Sequence, residues 1–286
     1  MFSVDWALSA REHDPLREAG ISIPLSDGTT LDADIVRPDS AGQFPVVLSV
    51  HAYDKADHAM PLHPVGFSHT RGHIEAGDSA FFARRGYVHV IMNIRGTGAS
   101  QGLYDNLGEA SINDIREAIE WLAIQPWSSG RVGMFGISYF ALVQPRVAEF
   151  APSPLKAIFA PYGYTDMYRD RYYHGGILSH KFMQMWLPTL HKARTTSQLR
   201  DLVSDAEFLT LLEAARTDVE LRSIPFLSNV LDNPDAGQNG LIADILLQPF
   251  DGEFYRKRSV QYETGCEVPG YFGACWGVYG LHLPGA

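Results

Sequence analysis

The alternation of apolar and polar positions divides the chain into strands followed by helices. Ile21, Ile23 and Leu25 alternate with their neighbours, Asp27-Gly28 marks a turn, and Leu31, Ala33 and Ile35 resume the period of two, which predicts a β-hairpin ending near Arg37. Behind Pro45, the run Val46-Val47-Leu48-Ser49-Val50 has no polar alternation and predicts a parallel strand buried on both faces. A helix is expected from about Glu75 to Arg85, a strand from Val88 to Ile94, and then a helix with Ile112, Ile115, Ile119 and Leu122 on one face. Leu155 to Ala160 reads as another buried strand, so this part of the chain is α/β. From about Thr165 the alternation stops, and helical segments are expected at Ile177 to Leu190, Ser197 to Val203, Ala206 to Ala215 and Gly240 to Leu247. The pattern returns to the sheet at Val268 to Trp276.

The chain is organised around Arg131-Val132-Gly133-Met134-Phe135-Gly136-Ile137-Ser138-Tyr139-Phe140-Ala141. A β-prone run enters a turn with a glycine two residues before a serine, and a helix-compatible run follows, as in a nucleophile elbow. A serine hydroxyl is a weak nucleophile near neutral pH, so such a turn has to expose Ser138 to a base and leave backbone N–H groups beside it. The general motif has a second glycine where Phe140 stands, and the bare triplet also fits a turn serine without chemistry. Tyr53 follows the strand that ends near His51, on the side where open α/β sheets place their sites. The stretch from Ala56 to Gly77 carries His58, His63, His69 and His73 at spacings that match no zinc signature, so no metal is expected there.

The succession N-I-R-G-T-G-A-S-Q-G, then W-L-A-I-Q-P-W-S-S-G-R-V-G-M-F-G-I-S-Y, resembles the cocaine esterase and Xaa-Pro dipeptidyl-peptidase superfamily of serine hydrolases, and the resemblance runs from about Gly20 to the end. It implies an α/β-hydrolase core with a mostly parallel sheet and an inserted α-helical lid. The core's first part is then residues 1–164, the lid 165–248, and the return to the core sheet 249–286. It also implies that Ser138 is the nucleophile and that Tyr53-Asp54-Lys55 is the segment of an oxyanion-hole tyrosine, with the backbone N–H of Tyr139 as the second donor. The family's usual aspartate at Asn93 is absent. Arg95 either pairs with a carboxylate near the elbow or fixes the glycine loop, and Pro145 should kink the helix that follows Ser138. Phe182, Met183, Met185 and Trp186 are candidates for a substrate pocket or for ordinary packing.

The family keeps its triad aspartate and histidine after the tryptophan that aligns with Trp276, ahead of a jelly-roll domain. Neither is evident before Ala286: His282, with no acid before it, reads as structural, and nothing singles out one of the nearby acids Asp251, Glu253 and Glu263. The core therefore looks truncated before its last elements, with acid and base supplied by a missing C-terminal portion or a partner.

Composition narrows the class. The 286 residues, 45% hydrophobic and 12% aromatic, are enough for one large core. With 33 acids against 23 bases and a formal charge of -10, neither a nucleic-acid nor an anionic-membrane partner is expected. No apolar run is long enough to span a bilayer and the N-terminus has no signal pattern, which together give an expectation of a cytoplasmic protein. Cys266 and Cys275 lie at the two ends of one expected strand, too far apart to bridge. The reading is a serine hydrolase without a cofactor, cleaving small ester, amide or peptide substrates through an acyl-enzyme on Ser138, with homo-oligomerisation left open. The alternative is a non-catalytic or incomplete hydrolase-like module. An Xaa-Pro peptidase would also need an acid to hold the substrate ammonium, for which Asp166, Asp170 and Glu213 are undistinguished candidates.

Overall fold

A computed structural model describes residues 8–60, 72–73, 75–261, 263, 265–274 and 276. Its centre is a seven-stranded sheet formed by β1 (Pro15–Pro24), β2 (Thr30–Pro38), β3 (Phe44–His51), β4 (Val88–Asn93), β5 (Ser128–Phe135), β6 (Leu155–Pro161) and β7 (Gly270–Gly273), in the order β1-β2-β4-β3-β5-β6-β7. The hairpin β1/β2 is antiparallel, β2 also runs antiparallel to β4, and every pairing from β4 to β7 is parallel. The expected hairpin and parallel strands are all present, but β6, expected to be buried, exposes Lys156, Ala157 and Phe159. Val46, Leu48 and Val50 of β3 and the whole of β4 are buried, as a strand covered on both faces requires.

The topology positions the site. Strand β3 lies between β4 and β5, so the connection leaving β3 goes to one side and the chain returns to the other, opening a crevice at the carboxyl ends of these strands. Helix α1 (Ser79–Ala83) precedes β4, α2 (Glu109–Ala123) precedes β5, and α3 (Tyr139–Ala148) follows β5. In α2 the apolar residues Ile112, Ile115, Ile119 and Leu122 are buried together, as their spacing predicted. Helix α3 is buried along its full length and runs through Pro145 to Ala148.

Three expected elements change. The helix expected from Glu75 starts only at Ser79, because Glu75 and Gly77 take positive φ (68° and 79°) and the Asp78 side chain caps the first turn by accepting from Ala80 N. Between Ile177 and Leu190, the pair Ile177–Leu178 instead closes a small hairpin with Tyr173–His174 over Gly175-Gly176. The helix α4 covers His180–Trp186, and a tighter turn covers Leu187–Leu190. The segment expected from Ser197 to Val203 shortens to a single turn at Leu199–Asp201, where Asp244 draws the backbone to itself by accepting from Ser197 Oγ, Gln198 N (2.7 Å) and Leu199 N (3.4 Å). The other two expected helices are present as α5 (Asp205–Thr217) and α7 (Asn239–Leu246), with α6 (Pro225–Asp232) between them unforeseen.

This helical region docks on the loop after β4. Arg194 N donates to Gly96 O (2.7 Å), Tyr104 N donates to Arg194 O (2.7 Å), and the Arg194 guanidinium reaches Gly98 O and Ser100 O. Gly96 has to be glycine, since a Cβ there would sit 2.1 Å from Tyr104 N. Arg95 proves to be the residue that fixes this loop: Nε and Nη2 each meet Asp114 of α2 at 2.6 Å, and Nη2 reaches Asp27 of the hairpin turn at 2.8 Å. Cys266 is exposed and lies before β7 rather than at its end, and its expected counterpart Cys275 lies outside the described residues. The described residues thus form an α/β-hydrolase core with a mostly parallel sheet. No described helix is long and apolar enough to cross a membrane.

Candidate active site

Ser138 sits where β5 gives way to α3, with φ 56° and ψ −122°. That is a costly conformation for a residue with a side chain, and such strain persists only where its surroundings hold it. They do so from both sides. Ser138 O accepts from Ala141 N (2.9 Å) and Leu142 N (3.1 Å), starting α3, while Gly136 N donates to Phe159 O (3.3 Å) and Ile137 N donates to Glu75 O (3.0 Å). Gly136, at φ 141°, leaves space in which a Cβ would meet Phe140 Cβ at 2.4 Å. Phe140, where the general motif has its second glycine, is fully buried and stacks on the His51 ring at the end of β3 (4.8 Å between centroids).

A polar network under the elbow fixes its height above the sheet. Ser49 Oγ donates to Phe135 O at 2.7 Å, so it accepts from His89 Nε2 (3.1 Å), and His89 Nδ1 accepts from Ser79 Oγ (2.8 Å). Burial, reinforced by His73, holds the His89 imidazole down at about 3, so it is neutral and serves as a structural bridge between α1, β4, β3 and β5.

Tyr53 is brought to the same end of the sheet. Its phenol is buried, its ring meets the Tyr139 ring edge-on at 5.7 Å, and its hydroxyl accepts from Trp186 Nε1 at 3.2 Å. Burial, aided by the Glu75 charge, raises the phenol well above its ordinary value, so it is a neutral hydrogen-bonding group at any physiological pH. Asn93 explains how the segment is held: its Nδ2 donates to Tyr53 O and to Thr97 Oγ1 (3.3 Å). The partner at this position is a carbonyl, which an amide can serve and an aspartate could not.

Behind these residues lies an aromatic wall. Tyr139 and Tyr104 share a hydrogen bond between their hydroxyls (3.0 Å), and Asn106 links Tyr104 to Tyr172. Arg171, 1% exposed, lies over the rings of Trp186 (4.2 Å), Tyr172 (4.9 Å) and Tyr164 (5.5 Å). Of the expected pocket residues, Trp186 therefore reaches the site and Phe182 stacks on it, Met183 is fully buried, and Met185 points to solvent at 53% exposure.

Glu75, expected at the start of the helix before β4, instead sits on the turn ahead of α1, where its carbonyl accepts from Ile137 N next to Ser138 (3.0 Å). Burial raises the Glu75 carboxyl from 4.5 to about 7, with the nearby Ser138 side chain opposing the shift. The signal for it was the pair Gly77-Asp78, a turn and a cap that place Glu75 ahead of the helix. The other candidates fall elsewhere. Asp166 caps the turn Met167–Tyr172 and pairs with Arg169, and Asp170 accepts from Thr165 N and Asp166 N. Asp251 pairs with Arg169 and Glu253 with Lys257, while Glu213 and Glu263 are exposed. His63, His69 and His282 lie outside the described residues. Among the described residues, no group of three or more His, Cys, Asp or Glu is arranged to hold a metal ion.

The sequence is 31% identical to the cocaine esterase of Rhodococcus sp. over 203 residues, 70% of this chain and 33% of that protein. It is 30% identical to a putative Xaa-Pro dipeptidyl-peptidase of Streptomyces avermitilis over 111 residues, 34% of this chain and 16% of that protein. Among solved structures, a CocE/NonD family hydrolase from Staphylococcus aureus superposes with a TM-score of 0.70 at 27% identity, covering 93% of this chain and 42% of that one. The chain thus spans less than half the length of these relatives. The sequence profile of the X-Pro dipeptidyl-peptidase (S15 family) matches residues 27–240, and the chain belongs to that family.

Proposed function

We propose that the chain is a serine hydrolase of small ester or amide substrates, Xaa-Pro peptides among them, working through an acyl-enzyme on Ser138. The observation that carries the reading is the Ser138 backbone, strained at φ 56° between a parallel strand and a helix at the carboxyl end of the sheet. In this reading the Ser138 oxygen attacks the acyl carbon as its proton passes to a general base that returns it to the leaving group, and the charge that develops on the carbonyl oxygen is held by the Tyr53 hydroxyl and the Tyr139 N–H, the latter at the first turn of α3 where backbone donors are unsatisfied. Collapse expels the alcohol or amine, and water then releases the acid from Ser138. Trp186 and the tyrosines behind it make the wall of the acyl or leaving-group pocket.

The test is covalent labelling by a fluorophosphonate probe. Labelling of the wild-type chain that disappears in Ser138→Ala supports the enzyme. Absence of labelling in folded wild-type protein, or labelling that survives the substitution, overturns it in favour of a non-catalytic module.

A further inference from the structure

Arg171 lies on the wide turn Met167–Tyr172, in the aromatic wall behind the elbow, and is buried. A guanidinium does not shed its charge in a protein, so burying one calls for a carboxylate, a full set of hydrogen bonds, or both. Among the described residues Arg171 has neither. Its Nε is buried with no hydrogen-bond partner, and Nη1 meets only Met167 Sδ, at 4.0 Å. The adjacent carboxylate, Asp170, is turned away to accept from Thr165 N (3.1 Å) and Asp166 N (3.0 Å). The cation is held instead by the ring faces of Trp186, Tyr172 and Tyr164. These contacts offset part of the cost of burial, but filling the space alone would be served at less cost by an uncharged side chain.

We propose that Arg171 is a positioning residue for the oxyanion, a fixed buried cation that acts through the Trp186 indole and the Tyr53 hydroxyl to favour negative charge on the substrate carbonyl oxygen. The inference rests on the reading of Ser138 as nucleophile and Tyr53 as oxyanion donor, and adds a residue to it. The route is one of direct contacts. The Arg171 guanidinium lies over the indole ring at 4.2 Å, and the indole Nε1 donates to the Tyr53 hydroxyl at 3.2 Å. The Tyr53 ring in turn meets the Tyr139 ring at 5.7 Å, beside the N–H that acts as the second donor in this reading. A cation on the face of an indole withdraws electron density from its N–H and strengthens the bond that the N–H donates. The Tyr53 oxygen then holds its own proton less tightly and donates it better. The same charge acts on the phenol O–H across the dry wall, where little water is present to screen it. No bond is made or broken at Arg171, which does not touch the substrate.

The surrounding phenols register the same field. Burial raises Tyr53, Tyr104, Tyr139 and Tyr164 above the ordinary phenol value, and the Arg171 charge acts against that rise in all four. Glu75 bears on Tyr53 in the opposite sense, so the guanidinium is the charge that keeps the field at this hydroxyl from turning negative. The effect is differential. A neutral ester carbonyl gains little from a positive field, whereas the oxyanion of the tetrahedral state gains much, so the interaction belongs to kcat rather than to KM. The cation is in place before the substrate arrives, and its field needs no rearrangement as the charge develops.

The experiment is steady-state hydrolysis of a neutral chromogenic ester by the 286-residue chain, in wild type, Arg171→Met, Arg171→Lys, Tyr53→Phe and the double variant Tyr53→Phe with Arg171→Met. Arg171→Met is expected to lower kcat by about tenfold with KM within about twofold of wild type. Arg171→Lys, which keeps the charge without the flat stack, recovers most of that loss. In the Tyr53→Phe background the same Arg171→Met change costs less than about twofold, because the hydroxyl through which the cation acts is gone. An equal loss in both backgrounds, a raised KM with kcat unchanged, or an Arg171→Lys chain as slow as Arg171→Met overturns the assignment and leaves Arg171 a packing residue. Should Arg171→Met melt early, Arg171→Lys decides alone: a kcat close to wild type supports the charge, and a deficit of about tenfold in folded protein overturns it. Loss of the Ser138 reading looks different: wild type then neither hydrolyses the ester nor takes a fluorophosphonate label, or Ser138→Ala still does both.

Discussion

The Trp186 indole donates its Nε1–H to the Tyr53 hydroxyl at 3.2 Å, joining the last turn of α4 to the end of β3 across 133 residues of sequence. An oxygen that accepts from the indole keeps its own proton for donation to a second acceptor, and the indole polarises that O–H bond. In the proposed reading that acceptor is the substrate carbonyl oxygen as it becomes negative. Tyr53→Phe is expected to lower kcat/KM on a chromogenic ester by about 100- to 1000-fold, the effect of removing one oxyanion donor, with the melting temperature little changed. Trp186→Phe removes the supporting donor while keeping an aromatic ring beside Arg171 and Phe182, and should cost about fivefold, the worth of one neutral hydrogen bond.

Gly136 is required by the elbow. Any side chain at φ 141° is strained, and a Cβ at this position would stand 2.4 Å from Phe140 Cβ and 3.2 Å from Glu75 O. Gly136→Ala must therefore displace α3 or the Glu75 turn, and overpacking of this kind costs about 1–3 kcal/mol before the backbone strain is added. The expected result is a lower melting temperature together with loss of fluorophosphonate labelling, read by calorimetry and labelling on the same sample.

The Ser79–His89–Ser49–Phe135 relay predicts a stability effect away from the reacting atoms. Ser49→Ala removes the acceptor of His89 Nε2 and the donor to Phe135 O, both deep in the sheet. An unsatisfied buried group costs about 1–3 kcal/mol, and neutral His89 cannot relieve its loss by ionising, since burial already holds its imidazole at about 3. The variant should be less stable to urea by about 2–4 kcal/mol at all pH values between 5 and 8. A strong pH dependence of that difference would mean the imidazole carries charge after all.

The sheet and the elbow were legible because their signals are local: unbroken apolar runs for β3 and β4, and glycine and serine two apart at a strand end. What escaped depends on partners distant in sequence. Asn93 reads as a lost charge until Tyr53 O is seen to need a donor. Trp186 cannot be separated by periodicity from Met183, and only the fold turns one to Tyr53 and the other into the core. Glu75 was hidden by an expected helix that would have pointed it along α1, whereas Gly77 and Asp78 end that possibility and turn its carbonyl to Ile137 N. Ile177 was read as helical because the Gly175-Gly176 turn before it was given no weight.

Burial of Glu75 links pH to the stability of the fold. Its carboxyl stands at 4.5 when exposed and at about 7 in the structure, with burial as the main cause and the nearby Ser138 side chain opposing it. A carboxyl whose value is raised on folding contributes stability that is fully present below about 4.5 and is lost as the pH rises through about 7, because the folded chain holds the proton more tightly than the unfolded one. The loss above neutrality is on the order of 3 kcal/mol. Glu75→Gln has no charge to bury, so it should match wild type at pH 4 and exceed it at pH 8, raising the melting temperature there by roughly 5–10 °C. Paired melts at the two pH values measure this directly, and equal differences at both would show that the Glu75 carboxyl does not titrate between them.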